Sequence, residues 1–218
     1  MYFSSRLQAG RMLAHQIVPK YRYENCVIVA LNEGGVTIAV ELAKELHCLV
    51  TMLLTENIDL PREPVPIGGV TYDGKFSYNS EYSPYEVDEI NMEYRSYIEE
   101  EKFTHVNHLH RLLNGKDLID KRMLVGRNVF LVSDGFKTTM PLDLAYQYIK
   151  TVSIDKLIVC TPIAAIKVVD WMHIYSDDIY CLQVLDDYID NDHYYDKKDV
   201  LTKEKSVKVV QNIILNWK

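Results

Sequence analysis

A short polar turn that follows an apolar run offers groups able to bind a sugar phosphate. The run at residues 128–132 (NVFLV) predicts a buried strand, which delivers Ser133 and Asp134 to its carboxyl end. A carboxylate there can accept hydrogen bonds from ribose hydroxyls, while backbone amides at a helix start, aided by Thr138 and Thr139, can hold a phosphate. An ordinary Asp-Gly turn followed by a helix cap explains the same residues. The segment alone leaves both interpretations open.

A second polar turn has the same placement. Residues 26–31 (CVIVAL) are apolar without alternation, which is typical of a strand buried on both faces of a parallel sheet. The turn Asn32-Glu33-Gly34-Gly35 follows it, then a predicted helix over residues 36–46 and a second apolar strand over residues 49–55. A strand–turn–helix–strand unit of this kind is expected to have a right-handed crossover.

The elements around these turns follow from periodicity, caps and turn residues. A helix over residues 5–18 is closed by Pro19, and Asp73-Gly74 joins two short alternating runs as a hairpin. A long acidic helix starts at Ser83-Pro84, where Glu86 completes a capping box, and it reaches Leu113. The later elements are a helix over 141–151, a strand over 156–164, a helix over 165–175, a strand over 179–185, an Asp- and Tyr-rich loop over 186–199 and a closing helix over 203–217.

The order of these elements predicts a single α/β domain over residues 1–218. Its framework is an open, mostly parallel twisted sheet with helices on both faces, and the hairpin and long helix form an excursion at residues 60–115. A ligand of such a sheet binds beyond the carboxyl ends of the strands. The turns after Leu31 and Val132 are therefore the predicted site.

Composition argues against several classes of function. A formal charge of −7 without a cluster of Lys and Arg disfavours nucleic-acid binding. No apolar run reaches the roughly 18 residues that a membrane span needs, and the N-terminal residues lack the apolar block of a signal peptide. The four cysteines are expected to be buried thiols in a reducing compartment, since they lie in apolar runs without zinc or redox spacing: Cys26, Cys48, Cys160 and Cys181. We therefore expect a cytoplasmic protein that binds neither nucleic acid nor membranes.

Two further groups of residues could bind a ligand or could have a purely structural role. Three histidines near the end of the long helix could ligate a metal, but their spacing favours a solvated helix end, and we predict no metal ligands: His105, His108 and His110. Four tyrosines at the expected cleft mouth could stack on a base, although packing or a subunit interface is favoured: Tyr180, Tyr188, Tyr194 and Tyr195.

Five segments, in order along the chain, resemble parts of the type I phosphoribosyltransferases, in particular a bacterial group of predicted members. The turn after residue 132 resembles their motif for phosphoribosyl diphosphate (PRPP), which has an apolar strand, two acidic residues and a small loop ending Thr-Gly-x-Thr. The other four are SRLQAGRMLA (5–14), VALNEGGVTIA (29–39), PVPIGGVTYDG (64–74) and YCLQVLDDYIDNDHYYDKKDVLT (180–202). The resemblance covers essentially the whole chain and implies that family's fold.

The resemblance implies transfer of phosphoribosyl from PRPP to a nitrogenous base, with Mg²⁺ assisting the departure of pyrophosphate. Asp134 would be the catalytic residue that orients the ribose. The 5′-phosphate loop would be Ser133, Asp134, Gly135, Phe136, Lys137, Thr138 and Thr139, and the pyrophosphate loop Asn32, Glu33, Gly34 and Gly35. The expected partner is a phosphoribosyl or nucleotide small molecule, with the base on residues 60–79 or on the loop after Leu185. A homodimer stays an open alternative to a monomer.

Departures from the family pattern support a second hypothesis. Ser133 replaces one of the paired acidic residues, the phosphate loop lacks its inner glycine, and Glu33 stands where the relatives carry arginine. Thr55-Glu56 also stands where they often carry Arg-Lys. A carboxylate about 4 Å from a phosphate oxygen costs roughly 4 kcal/mol at an effective dielectric near 20, unless Mg²⁺ lies between them. A catalytically inactive protein of the same fold, with a regulatory or interaction role, is thus almost as well supported as an enzyme.

Overall fold

The computed structural model describes residues 2–61, 63, 65–115 and 117–216. In chain order its helices and strands are α1 (Arg6–Tyr21), β1 (Cys26–Ala30), α2 (Glu33–Leu46), β2 (Leu49–Met52), β3 (Thr55–Ile58), β4 (Gly68–Thr71), β5 (Phe76–Tyr78), α3 (Pro84–Leu113), β6 (Asn128–Val132), α4 (Met140–Ile149), β7 (Lys156–Ala165), α5 (Ile166–Tyr175), β8 (Asp178–Leu185) and α6 (Lys203–Asn216).

The described residues divide into two compact units. The first unit contains the residues up to Leu53, Leu118–Thr138 and those from Val152 onward, and the second contains Leu54–Asp117 and Thr139–Thr151. The excursion predicted at residues 60–115 falls within the second unit. That the whole chain is one domain stays a prediction.

The first unit is built on a five-stranded sheet in the order β2-β1-β6-β7-β8, with every neighbouring pair parallel. All residues of β1 and β6 are buried, as expected for apolar strands covered on both faces. Ala30 pairs with Val132, and Val132 pairs with Cys160, so β1 and β6 end beside each other and next to β7. The predicted α/β fold class is confirmed, and the turns after β1 and β6 lie at one edge of the sheet.

Helix α1 differs from its prediction at its end. Ser5 caps its start by accepting a hydrogen bond from the Gln8 amide, as the Ser-x-x-Gln spacing allows. Pro19 does not close the helix, because the chain continues as helix to Tyr21 and the Arg22 amide still bonds to the Val18 carbonyl. Packing offsets the hydrogen bond lost at proline, since the Tyr21 ring is buried against Phe130 with ring centroids 5.1 Å apart.

The first βα unit also departs from the prediction at two boundaries. Residues 33–35 are not a turn before a helix but the first turn of α2, because Asn32 accepts a hydrogen bond from the Gly35 amide and so caps the helix three residues early. The apolar run at residues 49–55 is not one strand. It leaves the parallel sheet after Met52, and Thr55 begins β3 in the second unit.

The second unit contains an antiparallel sheet in the order β3-β4-β5, together with α3 and α4. The predicted hairpin is confirmed: Val70 pairs with Phe76 across the turn, and Gly74 has a φ of +79°, which favours glycine. The capping box at Ser83 and Glu86 is confirmed as well, and α3 ends at Leu113 as predicted. Pro64, part of the matched segment at 64–74, lies outside the described residues.

The C-terminal elements follow the predicted order within one or two residues. The strands predicted at 156–164 and 179–185 are β7 and β8, and the loop at 186–199 contains a short 3-10 turn over Asn191–Tyr194. The closing helix is α6, while Trp217, which the prediction included, lies outside the described residues. Among the residues that the structure describes, no helix combines the length and apolar character needed to cross a membrane.

Candidate functional site

The carboxylate of Asp134 stands directly after β6 and is held by three side chains of its own unit. Its Oδ2 accepts a hydrogen bond from Arg6 Nε at 2.7 Å. Its Oδ1 accepts from Asn32 Nδ2 at 2.6 Å and from Asn191 Nδ2 at 2.5 Å. Only 2% of the residue is exposed to solvent. The predicted catalytic residue is therefore at the predicted edge of the sheet, but buried and already paired.

Arg6 is the residue that organises this cluster. Its guanidinium lies on α1 and is fully buried, with Nη2 2.5 Å from Asp192 Oδ1 and Nη1 3.2 Å from Asp199 Oδ1. It stacks on the Tyr195 ring at 4.4 Å from the ring centroid. Burial lowers the pKa of Arg6, but the charge of Asp134 and hydrogen bonds to all three carboxylates raise that pKa by more. The group therefore stays charged.

The sequence analysis included Arg6 only as part of the segment at residues 5–14. Its position in the predicted helix nevertheless indicates burial. The buried residues of α1 recur at helical spacing, and Arg6 falls on that buried face with Ala9, Gly10 and Leu13. An arginine on an apolar helix face must be buried with a partner, since an unpaired buried charge is very costly. Which carboxylates supply the partners could not be read from the spacing.

The loop after β8 packs directly on the turn that holds Asp134. The Tyr195 hydroxyl donates to the Asp134 carbonyl at 2.6 Å, and Asn191 Nδ2 reaches the Gly135 carbonyl at 3.3 Å. Tyr188 donates to Asn191 Oδ1 at 2.7 Å, and a methyl group added to Gly135 would overlap the Tyr188 hydroxyl. Burial, followed by the charge of Asp134, raises the pKa of both tyrosines, so both remain protonated donors.

Two of the four tyrosines expected at the cleft mouth pack on the Asp134 turn, but Tyr180 does not. Tyr180 lies in the first half of β8, where its ring faces Tyr21 at a centroid distance of 6.4 Å. Tyr194 is buried and donates from its hydroxyl to the Asp187 carbonyl. The expectation placed Tyr180 wrongly because it took closeness in sequence to the loop for closeness in space to the strand's carboxyl end.

The rest of the predicted phosphate loop makes contacts within the chain. The Ser133 hydroxyl donates to the Gly135 carbonyl and accepts from the Gly135 amide. The Phe136 amide donates to Ile163 O at 3.0 Å, and Phe136 O accepts from the Ala165 amide at 2.8 Å. Two of the amides expected to hold a phosphate thus have partners. Lys137 is exposed and donates from Nζ to Ile189 O at 3.0 Å, and Thr138 is half-buried.

Thr139 belongs to the second unit and has partners there. It occupies the N-cap position of α4 without a side-chain bond to the helix backbone. Its hydroxyl donates to Asp143 Oδ2 at 2.8 Å and shares a hydrogen bond of 2.6 Å with the Ser80 hydroxyl. The structure thus divides the predicted loop, because Ser133–Thr138 is described with the first unit.

The predicted pyrophosphate loop forms the amino end of α2. A methyl group on Gly34 would overlap the Asp134 carboxylate, and one on Gly35 would lie 2.7 Å from the Val132 carbonyl, so both glycines permit close packing against the turn after β6. The positive end of the helix dipole there favours the Asp134 charge. Glu33 is partly exposed, with Oε1 3.8 Å from Lys203 Nζ on α6.

The other residues that the sequence analysis singled out have partners outside the Asp134 cluster. Thr55 and Glu56 are in β3 of the antiparallel sheet and not on a strand of the parallel sheet, where Glu56 Oε1 is 3.3 Å from His108 Nδ1. His105 lies 3.2 Å from Glu101, and His110 Nε2 lies 2.7 Å from the Tyr72 carbonyl. The three histidines therefore have three different partners.

The described residues do not fit a bound magnesium ion in this conformation. Both oxygens of Asp134 accept hydrogen bonds, and the Arg6 charge lies against one of them. No group of three or more His, Cys, Asp or Glu side chains that could hold a metal occurs among the residues described. Mg²⁺ prefers carboxylate and phosphate oxygens, so Asp134 could serve it only after its present donors had moved away.

Comparison with known proteins bears on the fold. No protein-family model matches the chain. Two curated relatives, from two strains of Mycobacterium tuberculosis, carry the name "Putative phosphoribosyl transferase", and each is 27% identical over 183 residues. The match covers 83% of this chain and 40% of each relative, so the chain spans less than half the length of the relatives it matches.

Two solved structures show the fold. A Thermus thermophilus protein, TT1426, superposes with a TM-score of 0.71 at 23% identity, covering 100% of this chain and 99% of its own. A hypoxanthine phosphoribosyltransferase from Staphylococcus aureus superposes with a TM-score of 0.50 at 12% identity, covering 86% of this chain and 78% of its own. The chain is therefore similar in sequence to proteins named phosphoribosyl transferase and has the fold of a phosphoribosyltransferase, as the motif resemblance predicted.

Proposed function

We propose that this chain binds a phosphoribosyl or nucleotide ligand at the carboxyl ends of β1 and β6. The observation that supports this best is the convergence of Asp134 with the first turn of α2, where Asn32 donates to the carboxylate and Gly34 approaches it too closely for a side chain. A carboxylate suits ribose hydroxyls, and the amide end of a helix suits phosphate oxygens.

In its fuller form the proposal is phosphoribosyl transfer from PRPP to a nitrogenous base. The bond between the ribose C1 and the pyrophosphate oxygen breaks, and pyrophosphate leaves with the electron pair. A bond from C1 to a base nitrogen forms, and that nitrogen loses its proton to solvent. Asp134 would orient the ribose and the α2 amides would face the leaving group, so the chain would act by positioning and charge stabilisation. Asp134 is available for this only after a present donor withdraws.

Calorimetric titration with PRPP, AMP and GMP, each with and without Mg²⁺, tests the binding proposal. We expect saturable binding of at least one of them. Heat signals no larger than dilution for all three at millimolar concentration would overturn it. Release of pyrophosphate from PRPP in the presence of a mixture of purine and pyrimidine bases tests the transfer step separately.

Exchange of Glu33 for arginine tests where the phosphates lie. If Glu33 repels the ligand's phosphates, Glu33→Arg should tighten PRPP binding by about 1–3 kcal/mol after solvent screening, and less at high salt. Glu45→Arg is the matched control, because it makes the same charge change on an exposed residue at the other end of α2, about 18 Å away at 1.5 Å per residue. Equal effects of the two variants, or weaker Mg²⁺-dependent binding by Glu33→Arg, would contradict the repulsion.

A second candidate function, that of a catalytically inactive protein of this fold, has its own support. Asp134 is 2% exposed and bonded to three donors, so its present role is to tie α1, α2 and the loop after β8 together. On this hypothesis no combination of PRPP and base releases pyrophosphate. Asp134→Asn would then lower stability without changing any binding constant that can be measured.

A further inference from the structure

One buried guanidinium serves three carboxylates at the candidate site. Arg6 Nε contacts Asp134, Nη1 contacts Asp199 and Nη2 contacts Asp192, so each nitrogen faces a different acidic residue. The three carboxylates differ in access to solvent. The Asp134 side chain is 3% exposed, whereas those of Asp192 and Asp199 are 44% and 35% exposed. Asp192 and Asp199 can therefore be solvated by water if their ion pairs to Arg6 break, whereas the buried Asp134 cannot.

The charges in this cluster do not balance. Three carboxylates against one guanidinium leave an excess of negative charge around Arg6, and Asp192 and Asp199 compete for the same cation. The terminal nitrogens of arginine bind phosphate oxygens through the same N–H fork that they offer to carboxylates. Those nitrogens, Nη1 and Nη2, are the ones that the two solvent-accessible carboxylates occupy.

We propose that Arg6 is the phosphate-binding cation of this site, and that Asp192 and Asp199 occupy it as internal competitors until an anionic ligand displaces them. The inference rests on the proposed function and deepens it. It supplies a positive charge inside a site where the amino end of α2 carries the acidic side chain of Glu33. The ligand class is a phosphate or diphosphate ester, recognised by the guanidinium and by the amino end of α2.

Displacement of these two carboxylates also frees Asp134, the carboxylate proposed to bind the ribose. Asp192 and Asp199 belong to the same segment as Asn191, which donates to Asp134 Oδ1, and Tyr188, whose hydroxyl covers Gly135. When the ion pairs to Arg6 break, the segment at residues 188–199 loses both of these ion pairs to α1. Asp134 then loses the Asn191 donor and becomes accessible. A single event thus makes both the cation and the carboxylate of the site available.

Neutral variants of the two competitors test the proposal by titration with inorganic pyrophosphate, AMP and PRPP. Asp192→Asn and Asp199→Asn each remove one carboxylate charge, and the matched control is Asp196→Asn, an exposed residue of the same segment. We expect Asp192→Asn and Asp199→Asn to tighten binding by several-fold to about tenfold, as for a partly exposed ion pair, and the control by less than about twofold. Arg6→Lys, if its circular dichroism shows it folded, should lose most of the affinity.

Hydrogen exchange of the unmodified protein gives a readout that needs no variant. A ligand that simply covered the site would slow exchange at residues 188–199. On the proposed mechanism pyrophosphate should speed amide exchange there while slowing it at the start of α2, because the segment is released as the anion binds.

The outcomes separate the two proposals. Binding by the wild type with equal affinities for Asp192→Asn, Asp199→Asn and Asp196→Asn would overturn the competition and leave the ligand-binding function standing. Slower exchange at residues 188–199 with pyrophosphate would do the same. Binding by the Asn variants but not by the wild type would support the competition at Arg6 and would overturn ligand binding by the unmodified chain. Absence of binding in every variant would overturn both.

Discussion

A charged side chain at the core of a candidate binding site needs a physical reason to be there. Burying the Arg6 guanidinium removes it from water, and the attraction of three carboxylates and stacking on Tyr195 offset that cost. Removing one partner of a buried pair generally destabilises a protein strongly, because the other charge is left uncompensated. Asp134 is therefore required for stability whether or not it binds a ligand, so loss of stability in an Asp134 variant does not by itself show a role in binding.

A double-mutant cycle between Gly34 and Asp134 measures one part of the structural role, the close contact between the carboxylate and α2. Gly34→Ala should cost about 1–3 kcal/mol of unfolding free energy, since its methyl group would overlap the buried Asp134 carboxylate. In an Asp134→Ala background the same substitution should cost clearly less, because the obstructing oxygens are gone. Urea unfolding of the four proteins measures the coupling. The same cost in both backgrounds would show that Gly34 is required by the helix backbone and not by the carboxylate.

At the scale of elements, the sequence predicted what local chemistry decides. The hairpin at Asp73-Gly74 and the capping box at Ser83 and Glu86 rest on contacts within a few residues, and both are as predicted. The wrong boundaries occur where tertiary packing, or a second local sequence pattern, determines where an element begins or ends. The chain continues as helix through Pro19 because Tyr21 packs on Phe130. The helix cap at Asn32 was not predicted because the two glycines that follow it are more typical of a turn. The division of the run at 49–55 between two sheets has no signal in hydrophobicity alone.

The contact between α1 and α2 gives a prediction with a defined pH dependence. Glu41 is almost fully buried and bonded to Lys44 and Arg11. Burial raises its pKa, but these hydrogen bonds and charges lower the pKa by more, to below the usual 4.5. The stabilisation is therefore present above pH 4.5 and is lost as the pH falls through the lower, folded-state pKa.

Glu41→Gln should accordingly lower the unfolding free energy by about 1 kcal/mol at pH 7. The deficit relative to the wild type should shrink progressively below pH 4.5. Denaturant unfolding at several pH values measures it, with Glu45→Gln, an exposed residue on the same helix, as the control. A deficit that persists undiminished at pH 3 would assign the effect of the substitution to packing and not to charge.

At the scale of the whole molecule, the site and the net charge oppose each other. The chain carries 31 acidic against 24 basic residues, so an anionic ligand of the kind proposed would approach a surface that repels it on average. The composition gives the net charge but not the position of Arg6, the cation proposed above to bind phosphate, because Arg6 is buried and reaches the site from the first helix. Which residues meet at one edge of a sheet depends on strand order, and the strand order β2-β1-β6-β7-β8 is a property of the whole fold.

The four cysteines report on the integrity of that fold, and they give the last prediction. None forms a disulfide; three are buried, and Cys181 is partly buried. Burial is the main cause that raises the pKa of Cys26 to about 11, of Cys48 to about 12 and of Cys181 to about 11, and it raises that of Cys160 well above the usual 9.0.

Because the thiolate is the reactive form, a thiol reagent at pH 8 should label the folded protein slowly, and it should label all four thiols together after denaturation. Cys181, the least buried, should react first, and Cys181→Ser should remove that first phase. Above pH 9 the unfolded chain releases these protons more readily than the folded one, so stability should fall as the pH rises toward the folded-state values. Rapid labelling of several thiols in the native protein at pH 8 would show that the parallel sheet opens far more often than its burial implies.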